Sequence, residues 1–179
     1  RGSTATYWDG HTTTKAEENL LKYSQDTSQS GSWSFGNMTG TVGATAPDGT
    51  STATTLAESS GSFTYSRIQQ TSVTSITSGS VYSFSMYLKA NGRNFAHVRS
   101  SWGGSTQNNA GFCVDLSTGA ITTGYTDGAF TLPTPTSSFA TDVGNGWYRV
   151  GMTFTAAATN VGLWVYQSSS ATTTSYTGD

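Results

Sequence analysis

Ser80-Val81-Tyr82-Ser83-Phe84-Ser85-Met86-Tyr87-Leu88-Lys89-Ala90 is the stretch that decides the fold. Tyr82, Phe84, Met86 and Leu88 alternate with Ser83, Ser85, Tyr87 and Lys89, the period-2 pattern of a strand with one face on a core and one toward water. The larger, continuous apolar set faces inward. Asn91-Gly92 then closes the strand as a tight turn, because both residue types accept positive φ at little cost. The pattern resumes in residues 94–102. Ala96 and Val98 face the core there, since the opposite register would bury Arg99 without a counter-charge. Phe95, His97 and Arg99 are thereby left on the outer face.

The same parity extends along the chain. In residues 147–155, Tyr148, Val150, Met152 and Phe154 point inward and Trp147, Arg149 and Thr153 outward. In residues 161–167, Val161, Leu163 and Val165 point inward, which turns Trp164 and Tyr166 outward. Residues 111–116 bury Phe112, Val114 and Leu116 and present Cys113 and Asp115. Residues 63–70 are less regular; with Ile68 in the core, Tyr65, Arg67 and Gln69 share the outer face. Weaker strand patterns cover residues 20–24, 33–42, 51–57 and 120–124. Thr14-Lys15-Ala16-Glu17 fits a capping box for a single helical turn, and the Ser/Thr-rich residues 167–179 read as a loop or linker. Short strands joined by Gly- and Asn-rich turns, with no long helical period, predict an all-β, antiparallel β-sandwich. The 179 residues form one domain over residues 19–179, preceded by an N-terminal segment or added edge strand over residues 1–18.

Composition supports a folded chain and removes several functions. The sequence has 33 Thr and 27 Ser, so 60 of 179 residues carry a small hydroxyl, and the charged fraction is only 10%. Leu, Ile, Val and Phe together make about 15%, low enough to raise disorder. The 22 aromatics and a net charge of only −2 answer that, since each ring buries a large area. Eight basic residues without a cluster give no nucleic-acid footprint. No segment approaches the roughly 20 apolar residues of a membrane helix. With Cys113 the single cysteine and His11 and His97 the two histidines, a multi-cysteine or multi-histidine metal site is not expected.

Catalytic chemistry is poorly provided for. Glycoside hydrolysis needs two positioned carboxyl groups, yet Asp9, Asp48 and Asp127 each precede Gly in turn-like dipeptides. Asp115 and Glu58 are the acids at strands, and no pattern pairs them. No G-x-S-x-G nucleophile motif is present, so no catalytic residue is assigned. No metal or other cofactor is expected. A structural calcium on carboxylates such as Asp26, Asp48, Glu58 or Asp127 stays open as an alternative, though no spacing there matches a calcium loop.

Core filling accounts for Tyr82, Phe84, Phe112, Tyr148 and Phe154. It does not account for Tyr65, Tyr87, Trp102, Trp164 and Tyr166, which parity sets opposite the core with Arg67, Gln69, His97 and Arg99. Flat rings beside planar polar groups suit a sugar, whose C–H face stacks on an aromatic while Arg, Gln and His bond its hydroxyls. These nine residues are the candidate binding set. The rival explanation is that a second layer, a loop or an oligomer partner covers them, and for Phe95 coverage is the expectation. A chain of net charge −2 is not built to steer polyanions, so Arg67 and Arg99 are expected to donate to neutral hydroxyls.

Short motifs in order along the chain then suggest a family. Asn19-Leu20-Leu21-Lys22-Tyr23-Ser24-Gln25-Asp26, Ala46-Pro47-Asp48-Gly49-Thr50, Thr52-Ala53 with Leu56, and Tyr82-Ser83-Phe84-Ser85 open the series. Tyr87-Leu88-Lys89-Ala90, Asp115-Leu116-Ser117-Thr118-Gly119, Asn145-Gly146-Trp147-Tyr148-Arg149 and Tyr176-Thr177-Gly178-Asp179 complete it. In this order they resemble domains of phage tail and fibre proteins that are similar to carbohydrate-binding modules for xylans and β-glucans. The resemblance implies a jelly-roll sandwich on the virion surface or outside the cell. It implies a ligand face on the outward residues of residues 63–70, 80–90, 94–102 and 161–167. Family members continue past the Tyr-Thr-Gly-Asp segment into an aromatic-rich strand. Here either that strand lies outside the chain or residues 4–10, with Tyr7 and Trp8, take its place. The expected function is non-catalytic polysaccharide binding by a monomeric domain; the alternative is a tail-fibre assembly domain whose aromatic face is buried in an oligomer.

Overall fold

The computed structural model describes residues 6–8, 13–15, 19–101, 110–127 and 130–178, and every regular element among them is a β-strand. A six-stranded sheet runs in the order β11 (Ile121–Thr123), β10 (Gly111–Asp115), β9 (Phe95–Ser101), β16 (Val161–Ser168), β7 (Ser66–Val73) and β3 (Trp33–Gly36), antiparallel at each pairing. A three-stranded antiparallel sheet is built from β14 (Ser137–Gly144), β15 (Trp147–Thr155) and β8 (Val81–Lys89). Three ribbons complete the body: β4 (Met38–Ala44) with β5 (Ala53–Glu58), β6 (Gly61–Phe63) with β17 (Tyr176–Gly178), and β12 (Thr126–Asp127) with β13 (Phe130–Thr131). β1 (Thr6–Trp8) pairs with β2 (Thr13–Lys15) as a separate hairpin.

One apolar cluster joins the two main sheets. Ile68, Val98, Phe112, Val114 and Val165 come from the larger sheet and Phe84, Val150, Met152 and Phe154 from the smaller. These are the inward residues of the parity reading, and the antiparallel β-sandwich follows from them. Burial of each such side chain contributes about 1.5–3 kcal/mol. Trp33 belongs to the cluster while its indole Nε1 donates to the Tyr23 carbonyl at 3.0 Å. That bond explains a correction. Residues 20–24 are a turn, not a strand, with Tyr23 at φ 51° so that its carbonyl also receives the Asp26 amide.

Other sequence expectations are revised in the same local terms. Residues 33–42 hold two strands, because Asn37 at φ 55° swings the chain out of the sheet. Asparagine tolerates that left-handed region, and Asn37 Nδ2 holds the bend by donating to the Tyr65 carbonyl at 2.8 Å. Thr14 and Lys15 lie in β2, so they do not open a helical turn. β1 pairs with β2 and, among the described residues, does not join a main sheet as the replacement strand considered above. The carboxyl-terminal stretch is not all loop either. β16 extends to Ser168, and β17 returns to pair with β6.

Candidate functional site

The outer face of the larger sheet is read most easily across its strands. Gln69, Trp164 and Arg99 are cross-strand partners in one row, and Arg67, Tyr166 and His97 in the next. Ile68, Val165 and Val98, which lie between the two rows, point into the core. Six of the nine sequence-predicted residues therefore share one face of β7, β16 and β9. Tyr65, just before β7, joins them through its ring, which lies edge-on to Tyr166 at 6.4 Å. Tyr65 covers Gly36 of β3, where a Cβ would come within 2.9 Å of the Tyr65 ring. A glycine inside a strand is the sequence signal for such a close approach.

One of the nine does not enter this group. Tyr87 projects outward from β8, opposite Arg149 on the smaller sheet, and is 49% exposed. Strand parity gives the direction of a side chain but not the sheet it belongs to, so Tyr87 is removed from the candidate set. β8 likewise contributes nothing to the ligand face implied by the resemblance. Trp102 lies outside the described residues.

The group divides into a roofed part and an open part. Over β9 and β10, the Tyr125 ring stands 4.3 Å from His97, with Leu132 and Cys113 in the same apolar cluster. His97 Nε2 donates to the Ser170 carbonyl at 2.8 Å; a carbonyl only accepts, so Nε2 carries the proton. Burial pulls the His97 pKa from 6.5 down to about 4, with the Ser170 bond opposing it weakly, so the ring is neutral. His97 and Tyr166 are both 0% exposed and Arg99 is 4% exposed. The expectation that His97, Arg99 and Tyr166 touch a ligand directly is corrected: a loop roof covers them. Under the same roof Cys113 has its thiol pushed up to about 12, chiefly by burial, and is not a nucleophile.

Tyr65, Arg67, Gln69 and Trp164 remain half-buried at the open end. The Arg67 guanidinium lies 4.2 Å from the Tyr65 ring centroid and 4.2 Å from that of Trp164. Arg99 lies 4.7 Å from the Trp164 ring. Tyr166 Oη accepts from Arg67 Nη1 at 3.5 Å and from Arg99 Nη1 at 3.3 Å. The indole is thus no bare platform, because guanidinium groups already occupy its π-surface. Three buried polar atoms here, Arg67 Nε, Gln69 Oε1 and Trp164 Nε1, have no hydrogen-bond partner among the described residues. Sequence reasoning found this strip but missed Gly36, Tyr125, Leu132 and Ser170, which shape and roof it.

Four of the acids considered for chemistry are held by other groups of the protein. Asp115 Oδ1 accepts from the Ser117 hydroxyl and amide, and those bonds lower its pKa, the hydroxyl first. Asp26 does the same with Ser28 and Gln29, and Asp48 with Thr50. Glu58 is held by Arg93, Tyr176 and Gln167. No family model and no curated protein matches this chain.

Proposed function

We propose that this protein is a non-catalytic polysaccharide-binding domain of jelly-roll type, carried on a phage tail or an extracellular polysaccharide-degrading system. The observation that carries the reading is the half-buried strip of Tyr65, Arg67, Gln69 and Trp164. It sets the half-buried Arg67 guanidinium between two aromatic rings, with no described carboxylate paired to it. Polar donors set beside aromatic carbon at a half-buried position suit a hydroxyl-rich ligand. Trp164→Ala is expected to weaken binding by about 1–3 kcal/mol, roughly 5- to 150-fold. Affinity electrophoresis against a polysaccharide panel reads the loss, with far-ultraviolet circular dichroism to show that the fold survives. Unchanged retardation would take Trp164 out of the site.

Turnover is not part of this reading. The strip offers no described carboxylate, and Asp115 serves its own turn. Incubation with any polysaccharide the domain binds should release neither reducing ends nor unsaturated products. Product formation abolished by Asp115→Asn would make the protein an enzyme. The assembly reading draws on the smaller sheet, where Tyr87 and Phe139 stand exposed on its outer face. Sedimentation analysis separates the two, since polysaccharide binding by a monomer leaves that face without a role in the activity.

A further inference from the structure

We infer that the polysaccharide bound at this strip is acidic, and that a sugar carboxylate docks on the edge of the Arg67 guanidinium. The inference rests on the polysaccharide-binding reading and narrows its ligand. Arg67 is flanked from both sides: Tyr65 lies over β3, and Trp164 stands on β16 across from β7. Aromatic carbon therefore replaces water on the faces of the guanidinium and leaves its edge as the route for hydrogen bonds. Its described acceptor is a single phenol oxygen at the long distance of 3.5 Å. No described carboxylate forms an ion pair with it.

A half-buried cation in that state favours an anion over a hydroxyl. A hydrogen bond between neutral groups contributes about 0.5–1.5 kcal/mol net, and one to a charged group about 1.5–3 kcal/mol. A planar carboxylate also matches the guanidinium fork with two parallel bonds, which a single hydroxyl does not. Arg99 Nη1 donates to the same Tyr166 oxygen, so the one described acceptor of Arg67 is already shared with a second donor. On this assignment binding weakens as salt is added, the reverse of what net charge alone predicts.

The test compares one polymer in two forms. Native gels containing sodium alginate or polygalacturonate are run beside gels containing the same polymer with its carboxyl groups reduced to alcohols. Wild-type protein should be retarded by the polyuronate and not by the reduced form. Arg67→Gln should cut the affinity about 10- to 150-fold, and Arg149→Gln, on the other sheet, should leave it unchanged. If Arg67→Gln fails to fold, the reduced polymer decides the question with wild-type protein alone. Equal retardation by the reduced polymer, or by neutral xylan or β-glucan alone, would overturn the acidic ligand while sparing the polysaccharide reading. No retardation by any polymer, acidic or neutral, would overturn both.

Discussion

Replacing Glu58 with alanine is expected to destabilise the protein by about 1.5–3 kcal/mol, the range for hydrogen bonds to a charged group. The Glu58 side chain, at the end of β5, is 11% exposed. One carboxylate oxygen accepts from Arg93, and the other accepts from Gln167 Nε2 at 2.7 Å and from the Tyr176 hydroxyl. Arg93 also packs 5.1 Å from the Tyr176 ring. A single carboxylate thus ties the β8–β9 connection, β16 and the short β17 to the β4–β5 ribbon. Burial, and then the bond to Glu58, raise the Tyr176 pKa, so its hydroxyl remains a donor through neutral pH. For a chain of 179 residues the loss corresponds to a fall in Tm of roughly 6 °C. Glu58→Gln, which keeps an acceptor but not the charge, should lose less. Urea midpoints for both variants within about 1 kcal/mol of wild type would show that the network only decorates the surface.

Acid should loosen the roof before it unfolds the sandwich by other routes. His97 is neutral at neutral pH, with a folded pKa of about 4 against 6.5 for the free side chain. Between those values the unfolded chain binds a proton that the folded chain refuses. The contribution is therefore complete above about pH 6.5 and is lost as the pH falls toward 4, a total of roughly 3 kcal/mol. Protonation would set a cation beside Arg99 on the same strand, with Cys113, Tyr125 and Tyr166 packed around it and no carboxylate among them. The lowered pKa values of Asp26, Asp48 and Asp115 act in a separate window, at and below about 4, where protonation removes the bonds to their turns. Denaturant midpoints measured from pH 7 to 4 should slope for wild type and flatten in His97→Gln. The same slope in both proteins would place the acid sensitivity elsewhere.

How much of this was legible depends on distance along the chain. Parity in β8, β9, β10, β15 and β16 gave the core and the outward direction of Trp164, His97 and Arg99, because each decision is local to a few alternating residues. Tyr87 was assigned to the wrong group because pairing of β8 with β15 is a nonlocal choice. β14 escaped notice, since Ser137–Gly144 is largely exposed and carries little apolar alternation. The roof was invisible for a related reason. Tyr125, Leu132 and Ser170 sit in irregular segments, and only the folded sheet shows that they close over His97. The open strip survived the transition from sequence to structure, but as an arginine-clad edge and not as a bare aromatic platform.

The place of β16 also sets the order in which the protein can be made. It pairs with β7 on one side and β9 on the other, yet it is the last of the six strands along the chain. The bonds it brings to the site span 99 residues back to Arg67 and 67 back to Arg99. During synthesis β3 with β7, and β9 with β10 and β11, emerge as two fragments, each with a bare edge, until the ribosome has added Val161–Ser168. Such edges template pairing with other nascent chains. Yield in a heterologous host should then follow the rate of translation through the stretch between β11 and β16 more closely than the stability of the finished domain.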